Sequence, residues 1–120
     1  MEVYLEGRNV LKTNLEKFLP YNRYGKNINR LSWLPLSGGN RSENEIYMIH
    51  FEPESRSNFH MHKGSEEFFV VDGELVDDDG KKFKKGDFVR FEPGTKHSSF
   101  SEKGCTLLVI LSGGKNQLIE

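Results

Sequence analysis

Several features that define common protein classes are scarce or missing in this sequence. The chain has a single cysteine, Cys105, so it can form no internal disulfide bond, and this residue lies in CTLLVIL, a run that predicts a buried strand. No apolar run approaches the roughly 20 residues that a membrane-spanning helix requires, and the amino-terminal residues lack the basic and then apolar pattern of a secretory signal. The formal net charge is only -1, which provides no basic excess for a nucleic-acid partner. We therefore expect a cytoplasmic protein that binds neither membranes nor nucleic acids.

Helical periodicity is also missing after about residue 31. Short apolar or alternating runs recur there instead, with turn-forming clusters such as DDDG at residues 77–80 between them. The runs are RLSWLPL, EIYMIHF, EEFFVV, FVRF and CTLLVIL. A chain of 120 residues has room for one hydrophobic core. The pattern therefore predicts an all-β protein built as one small antiparallel sandwich or barrel.

The composition of the chain changes near each end. Residues 1–30 are predicted to form an N-terminal arm, residues 31–114 the barrel, and residues 115–120 a C-terminal tail. A small sheet with open edges is stabilised when those edges are covered, so we expect a homodimer that pairs through an edge strand.

The arm carries the one helical signal that we find. Asn14 can cap a single helical turn over residues 15–19, which Pro20 would end, and residues 2–5 are compatible with an edge strand. Scattered basic residues in the arm predict a solvated face: Lys12, Lys17, Arg23, Lys26 and Arg30.

Three of the four histidines have a spacing that allows them to converge. His60 and His62 are two residues apart, so in a strand both imidazoles lie on one face, roughly 6.6 Å apart. The adjacent carboxylates of Glu66 and Glu67 must point to opposite faces, and only one of them can join the histidines. His97 follows a tight Pro-Gly turn that could return the chain to the same end of the barrel. These residues are compatible with a metal site, although a histidine pair in a strand is often only a surface pair.

The whole arrangement resembles the two sequence motifs of the cupin superfamily. His60-x-His62, then Glu66 and Gly73, resembles the first motif, and Gly86 followed by Pro93-Gly94-x-x-His97 resembles the second. Residues 31 to 112, with WLPL, HKGSEEFFVVDGELVDDDGKKFKKGDFVRFEPGTKH and CTLLVIL, are similar to the ChrR-like cupin group. The resemblance implies a cupin-type β-barrel, that is, a double-stranded β-helix or jelly roll.

The same resemblance implies a ligand set and also shows where this chain departs from the family. It implies one divalent metal ion, such as Fe, Zn, Ni or Mn, bound by three histidines and one glutamate: His60, His62, Glu66 and His97. It favours Glu66 over Glu67 as the ligand. A glycine expected before the first histidine is Glu54 here, and an asparagine often found after the last is Ser101.

Three functions are compatible with these residues. The first is a dioxygenase that acts on a small diketone or hydroxyketone, with Glu66 as a possible base. The alternative is a non-catalytic metal-binding sensor or regulatory module, and a sugar isomerase or epimerase is less favoured. Inhibition of a sigma factor is not expected, because the first 30 residues contain no cysteine and no histidine for the helical zinc-binding domain of the anti-sigma factors.

An enzyme or sensor of this kind needs a pocket for a small-molecule ligand. Apolar residues near the motifs are candidates for the pocket, and each of them is equally compatible with plain barrel core: Phe59, Met61, Phe69, Val89, Phe91 and Phe100. Tyr47 and His50 lie on a strand that could flank the site. They are three residues apart, so their side chains point to opposite faces of the strand and at most one of them faces inward.

Overall fold

The computed structural model describes residues 5–14, 16–25, 27–38 and 43–119. These residues form no α-helix, and so none of them belongs to a helix long and apolar enough to cross a membrane. They form twelve β-strands, which we number in chain order. The strands are β1 Leu19–Pro20, β2 Leu31–Ser37, β3 Glu45–Phe51, β4 Ser55–Arg56, β5 His60–His62, β6 Ser65–Asp77, β7 Lys82–Lys84, β8 Phe88–Phe91, β9 Lys96–His97, β10 Ser99–Ser101, β11 Cys105–Ser112 and β12 Asn116–Leu118. The predicted all-β class is confirmed.

Every strand pair among the described residues is antiparallel, and the long strand β6 organises the fold. The main sheet has the order β1-β2-β3-β11-β6-β10-β4, with β7 and β8 also paired to β6. A smaller sheet has the order β12-β5-β9. Residues 65–73 of β6 pair with β11, whereas residues 76–77 pair with β10, so the sheet curls where β6 changes partners.

The curl is centred on Gly73. This glycine has a φ of 83° and lies opposite Cys105, next to a register shift between Thr106 and Leu107. The extra residue of this bulge is Val71, and a bulge bends its strand and increases the twist. Gly73, two residues further on, readily adopts its left-handed conformation because it has no Cβ. The curled part of the sheet therefore contains a glycine that the sequence motif already singled out.

Strict alternation along β3 and β11 builds the core. Every second side chain of these paired strands is buried, and β2 and β6 cover the same interior. Members of the buried cluster include Tyr47, Ile49, Phe51, Cys105, Leu107, Val109 and Leu111. Burial also raises the pKa of the Cys105 thiol to about 11, so this residue is a core residue, as predicted.

Both predicted ends of the chain are more closely joined to the barrel than expected. Leu19–Pro20 forms a strand against β2, so residues 16–20 show no helical turn, while Leu15 and residues 1–4 lie outside the described part of the chain. At the other end, residues 116–118 form β12 and pair with all three residues of β5. These segments satisfy the backbone groups of edge strands that would otherwise lack partners.

Candidate metal centre

Three short elements bring the four predicted ligands together. His60 and His62 lie on β5, and His97 lies on the neighbouring β9, directly opposite His60. Glu66 is the second residue of β6. One donor atom from each of the four residues lies within 4.8 Å of the others. All four side chains are buried, and His62 has no exposed surface. The spacing of the motif and the pairing of β5 with β9 therefore produce one compact group of nitrogen and oxygen donors.

The hydrogen bonds of His60 and His62 define which ring nitrogen carries the proton. Nδ1 of His60 is 2.8 Å from the carbonyl oxygen of Asn58, which can only accept, so Nδ1 donates. Nδ1 of His62 is 2.7 Å from Oγ1 of Thr95. The Thr95 hydroxyl already donates to the carbonyl oxygen of Glu92 at 2.8 Å, so it accepts from His62. Both imidazoles therefore keep Nε2 free of its proton when they are neutral.

His97 has the same tautomer for a different reason. Its Nδ1 donates to the buried carboxylate of Asp77, with 3.1 Å to each oxygen. Ser99 donates a hydrogen bond of 2.7 Å to the same carboxylate and holds it in place. Burial opposes protonation of His97, but the hydrogen bond and negative charge of Asp77, aided by Glu66, hold the pKa of His97 above its usual range. The opposite holds for His60, since burial lowers its pKa.

The Asp77→Asn variant tests this orientation. A carboxamide can donate to Nδ1 of His97 and so favour the tautomer whose proton sits on Nε2, the nitrogen that faces the other ligands. Loss of such an outer partner lowers metal affinity about 10- to 100-fold. We expect a loss of this size when the metal is titrated against a competing chelator. Asp79→Asn, at an exposed turn, is the matched control, and equal affinities for the two variants would contradict the assigned role of Asp77.

Glu66 completes the group. Its Oε2 lies 3.3 Å from Nε2 of His62 and 3.9 Å from Nε2 of His97. Its Oε1 accepts a hydrogen bond of 2.9 Å from Nδ2 of Asn116. Burial opposes the ionisation of Glu66, but hydrogen bonding and positive charge from the neighbouring imidazoles when these are protonated, His62 foremost, and the Asn116 amide hold the pKa of its carboxyl at about 2. The site thus contains a full negative charge at neutral pH.

These residues fit a divalent metal ion. Nε2 of His60, of His62 and of His97 is buried without a hydrogen-bond partner, and leaving such an atom unpaired costs free energy. Three unpaired lone pairs and one ionised carboxylate around a common point are the donors that Zn, Fe, Ni and Mn bind. The four residues could therefore coordinate a metal, and their side chains alone do not determine which one.

Glu67 is excluded from this group by the alternation of β6. Its carboxylate lies on the outer face, 3.3 Å from the guanidinium of Arg90, which also contacts Glu92 at 3.0 Å. Arg90 is 45% exposed, so its partner Glu67 points to the outer face of β6. This agrees with the expectation that Glu66 and Glu67 point to opposite faces.

A cavity adjoins the site, and we name it the metal cavity. His60, Glu66 and His97 line it, whereas His62 lies behind them. Its wall is largely apolar and includes Leu31, Ile49, Phe51, Phe68, Leu75 and Leu107. Its polar lining includes Tyr21, Tyr24, Ser57, Asn58, Ser99 and Asn116. A cavity with these walls suits a small organic molecule with a few oxygen atoms.

The predicted pocket residues are divided between the cavity, the core and the surface. Tyr47 lines the metal cavity and His50 points the other way, with Nδ1 2.9 Å from the Thr106 hydroxyl. Phe91 packs its ring against His97, with 4.3 Å between the centroids, and Val89 packs against the core. These two residues support the site from behind and do not line the cavity.

The remaining four candidates do not line the cavity either. Phe69 is 41% exposed, because β6 alternates and its neighbour Phe68 takes the inner position. Phe100 lies under the guanidinium of Arg56, 5.1 Å from ring centroid to Cζ. Phe59 and Met61 are half-buried, and Met61 lies between His60 and His62 on β5, so its side chain points to the opposite face of the strand.

Several residues at the site were missed in the sequence analysis. Asp77 belongs to the predicted DDDG turn, but the structure places it at the end of β6. It follows the buried Leu75 by two residues, and this spacing could have placed its side chain on the same inner face. Arg23, predicted on a solvated face, is 12% exposed and donates to the buried Glu45 at 2.8 Å. Nothing in the sequence signalled Asn116, because its position depends on the pairing of β12 with β5.

Solved structures of other proteins share this architecture. An acetylacetone dioxygenase from Acinetobacter johnsonii superposes over 100% of this chain and 81% of its own, with a TM-score of 0.76 and 14% identity. An RmlC-like cupin from Shewanella frigidimarina covers 85% and 87%, with a TM-score of 0.69 and 21% identity. The complex of SigE with the anti-sigma ChrR from Rhodobacter sphaeroides covers 69% and 44%, with a TM-score of 0.61 and 20% identity. At these identities the likeness establishes the fold, and it confirms the predicted cupin-type barrel.

Comparisons of sequence are more specific about the family. No curated protein matches this chain. The model of the ChrR cupin-like domain family, however, matches residues 8–113, which is most of the sequence and includes all four candidate ligands. This protein therefore belongs to the ChrR cupin-like domain family.

Proposed function

We propose that this protein binds one divalent metal ion through His60, His62, Glu66 and His97 and acts as a dioxygenase on a small diketone or hydroxyketone. One observation carries the proposal: three buried imidazoles hold unpaired Nε2 atoms beside an ionised carboxylate, at the edge of a mostly apolar cavity. The structural relative named acetylacetone dioxygenase supports the choice of diketones as the first substrates to test.

The residues of this chain have separate tasks in such a reaction. A bound ion such as iron(II) would polarise the substrate oxygens as a Lewis acid and supply the chemistry of dioxygen. The apolar wall of the metal cavity excludes water and orients the carbon skeleton of the substrate. Glu66, ionised with a pKa of about 2, can accept a proton from the substrate but has none to give at neutral pH.

Elemental analysis and oxygen uptake test the proposal together. The protein is purified without added metal or chelator, its metal content is measured, and the iron-loaded form is mixed with a panel of diketones and hydroxyketones. We expect near-stoichiometric metal and oxygen consumption that depends on both iron and substrate. The same protein treated with a chelator is the control.

Another outcome would point to the alternative function. Tightly held zinc, with no oxygen uptake even after iron loading, would contradict the dioxygenase and indicate a sensor or regulatory module. The expected homodimer and the cytoplasmic location stay predictions.

A further inference from the structure

A second cavity adjoins the metal cavity, and we name it the cationic cavity. The two cavities share four lining residues, Tyr21, Tyr24, Tyr47 and Asn116, so only side chains separate them. No acidic side chain is among the described residues that line the cationic cavity. A ligand that extends from the metal cavity would therefore reach the hydrogen-bond donors of the cationic cavity.

Two cations give the cationic cavity its charge. Arg23 and Lys115 both line it. The guanidinium of Arg23 donates one hydrogen bond to Glu45 and lies 4.4 Å from the ring centroid of Trp33, which fixes its plane. Glu45 neutralises one of the two cations and leaves one net positive charge at the cavity. Four N–H groups of Arg23 make no hydrogen bond to another side chain that the structure describes, and Arg presents such groups in a fixed fork that matches a carboxylate.

The shared wall adds neutral donors. The phenols of Tyr21, Tyr24 and Tyr47 line both cavities. Burial raises the pKa of Tyr21 to about 12 and raises those of Tyr24 and Tyr47 as well, so all three phenols stay protonated. A protonated phenol can donate its O–H to an acceptor in either cavity.

Asn116 stands where the two cavities meet. Its Nδ2 faces the Glu66 carboxylate, which can only accept, so its Oδ1 must face the other way. That oxygen is buried and has no hydrogen-bond partner. An enol or hydroxyl group that passes between the cavities would donate to it and remove the cost of an unpaired acceptor.

Resting on the proposed function, we infer that the cationic cavity binds the carboxylate of the substrate, so that the substrate is a small organic acid whose diketone or hydroxyketone end lies in the metal cavity. The single net positive charge matches a monoanion, whereas a phosphate dianion would leave an excess negative charge in a half-buried site. Glu66 lies on the metal side of the shared wall, facing the three imidazoles that flank it.

Calorimetric titration of metal-loaded protein in the absence of oxygen tests this inference. The probes are succinylacetone and butyrylacetone, two diketones of equal chain length in which a carboxylate replaces a terminal methyl group. We expect succinylacetone to bind at least about 10-fold more tightly, because a charge-assisted pair with Arg23 and Lys115 is available only to the acid. The preference should shrink as ionic strength rises.

Variants assign the preference to the cavity. Lys115→Gln should reduce the preference about 3- to 10-fold, because it weakens the binding of succinylacetone. Lys85→Gln, at an exposed turn, is the matched control and should keep the full preference. Arg23→Gln is combined with Glu45→Gln, so that no buried carboxylate is left unpaired, and this pair should remove most of what remains.

The outcomes separate this inference from the proposed function. Equal affinity for the two probes, binding of neither, or equal behaviour of Lys115→Gln and Lys85→Gln would overturn the cationic cavity as a carboxylate site, whatever the metal content. A protein that takes up no metal but still prefers succinylacetone would support the carboxylate site and overturn the proposed metal chemistry.

Discussion

Replacement of His62 by alanine is expected to reduce the bound metal from near one equivalent to less than about a tenth of an equivalent. Nε2 of His62 has no hydrogen-bond partner and lies 3.3 Å from the Glu66 carboxylate, so its removal takes away one of the four donor atoms that surround the site. The loss should be much larger than that of a residue which only orients a ligand. Elemental analysis of the purified variant measures it.

A matched control separates the loss of a ligand from the loss of any histidine. His50→Ala removes an imidazole that lies on the outer face and contacts Thr106, so it should keep the full equivalent of metal. Because His62 is fully buried, its truncation also leaves a void, and His62→Gln provides a variant of similar volume. Retention of a full equivalent in both His62 variants would show that His62 is no ligand.

Replacement of Gly73 by alanine is expected to cost at least about 3 kcal/mol of the roughly 5–15 kcal/mol that stabilises a domain of this kind. A Cβ at this position would lie 2.6 Å from Cα of Cys105 and would also collide with the carbonyl oxygen of Gly104. Both neighbours are backbone atoms of the paired strand, so no side chain can rotate to make room. The φ of 83° adds strain, since residues other than glycine rarely adopt it. The urea midpoint of unfolding measures the loss.

Gly80→Ala is the control for strain alone. Gly80 also has a positive φ, of 90°, but nothing lies within 4 Å of the position of its added Cβ. This variant should cost only about 1–2 kcal/mol, the usual penalty of the left-handed conformation. If both variants lose the same stability, close contact at the bend of β6 is not the reason for Gly73.

Tyr47 and His50 show what the alternation of side chains along a strand predicts and what it leaves open. Alternation predicts that one of the two faces inward, and the structure places Tyr47 there. The pattern does not tell which, because the two faces of an isolated strand are equivalent until the rest of the sheet covers one of them. Phe69 failed as a pocket residue for the same reason, since Phe68 takes the inner position.

Glu54 shows where local sequence and tertiary structure conflict. The family pattern has glycine at this position, and Glu54 indeed adopts a φ of 60°. The backbone hydrogen bond from its N–H to the carbonyl of Glu102 holds the loop in place although the residue type is unfavourable. The need for a left-handed residue was therefore readable in the sequence, whereas the way the chain satisfies it with a glutamate was not.

The sequence by itself determined the all-β class, the family and the four candidate ligands. The class depends on alternation within short runs, and the ligands depend on motif spacing: two histidines separated by one residue on one strand, a turn, a carboxylate at the start of the next strand, and a histidine after a later Pro-Gly turn. Only the tertiary structure decided what surrounds them. Asn116 and Tyr21 come from the two ends of the chain, and Asp77 comes from the far end of β6. Their contacts with the site arise from strand pairings between distant segments, and periodicity within one strand carries no information about which partner that strand will find.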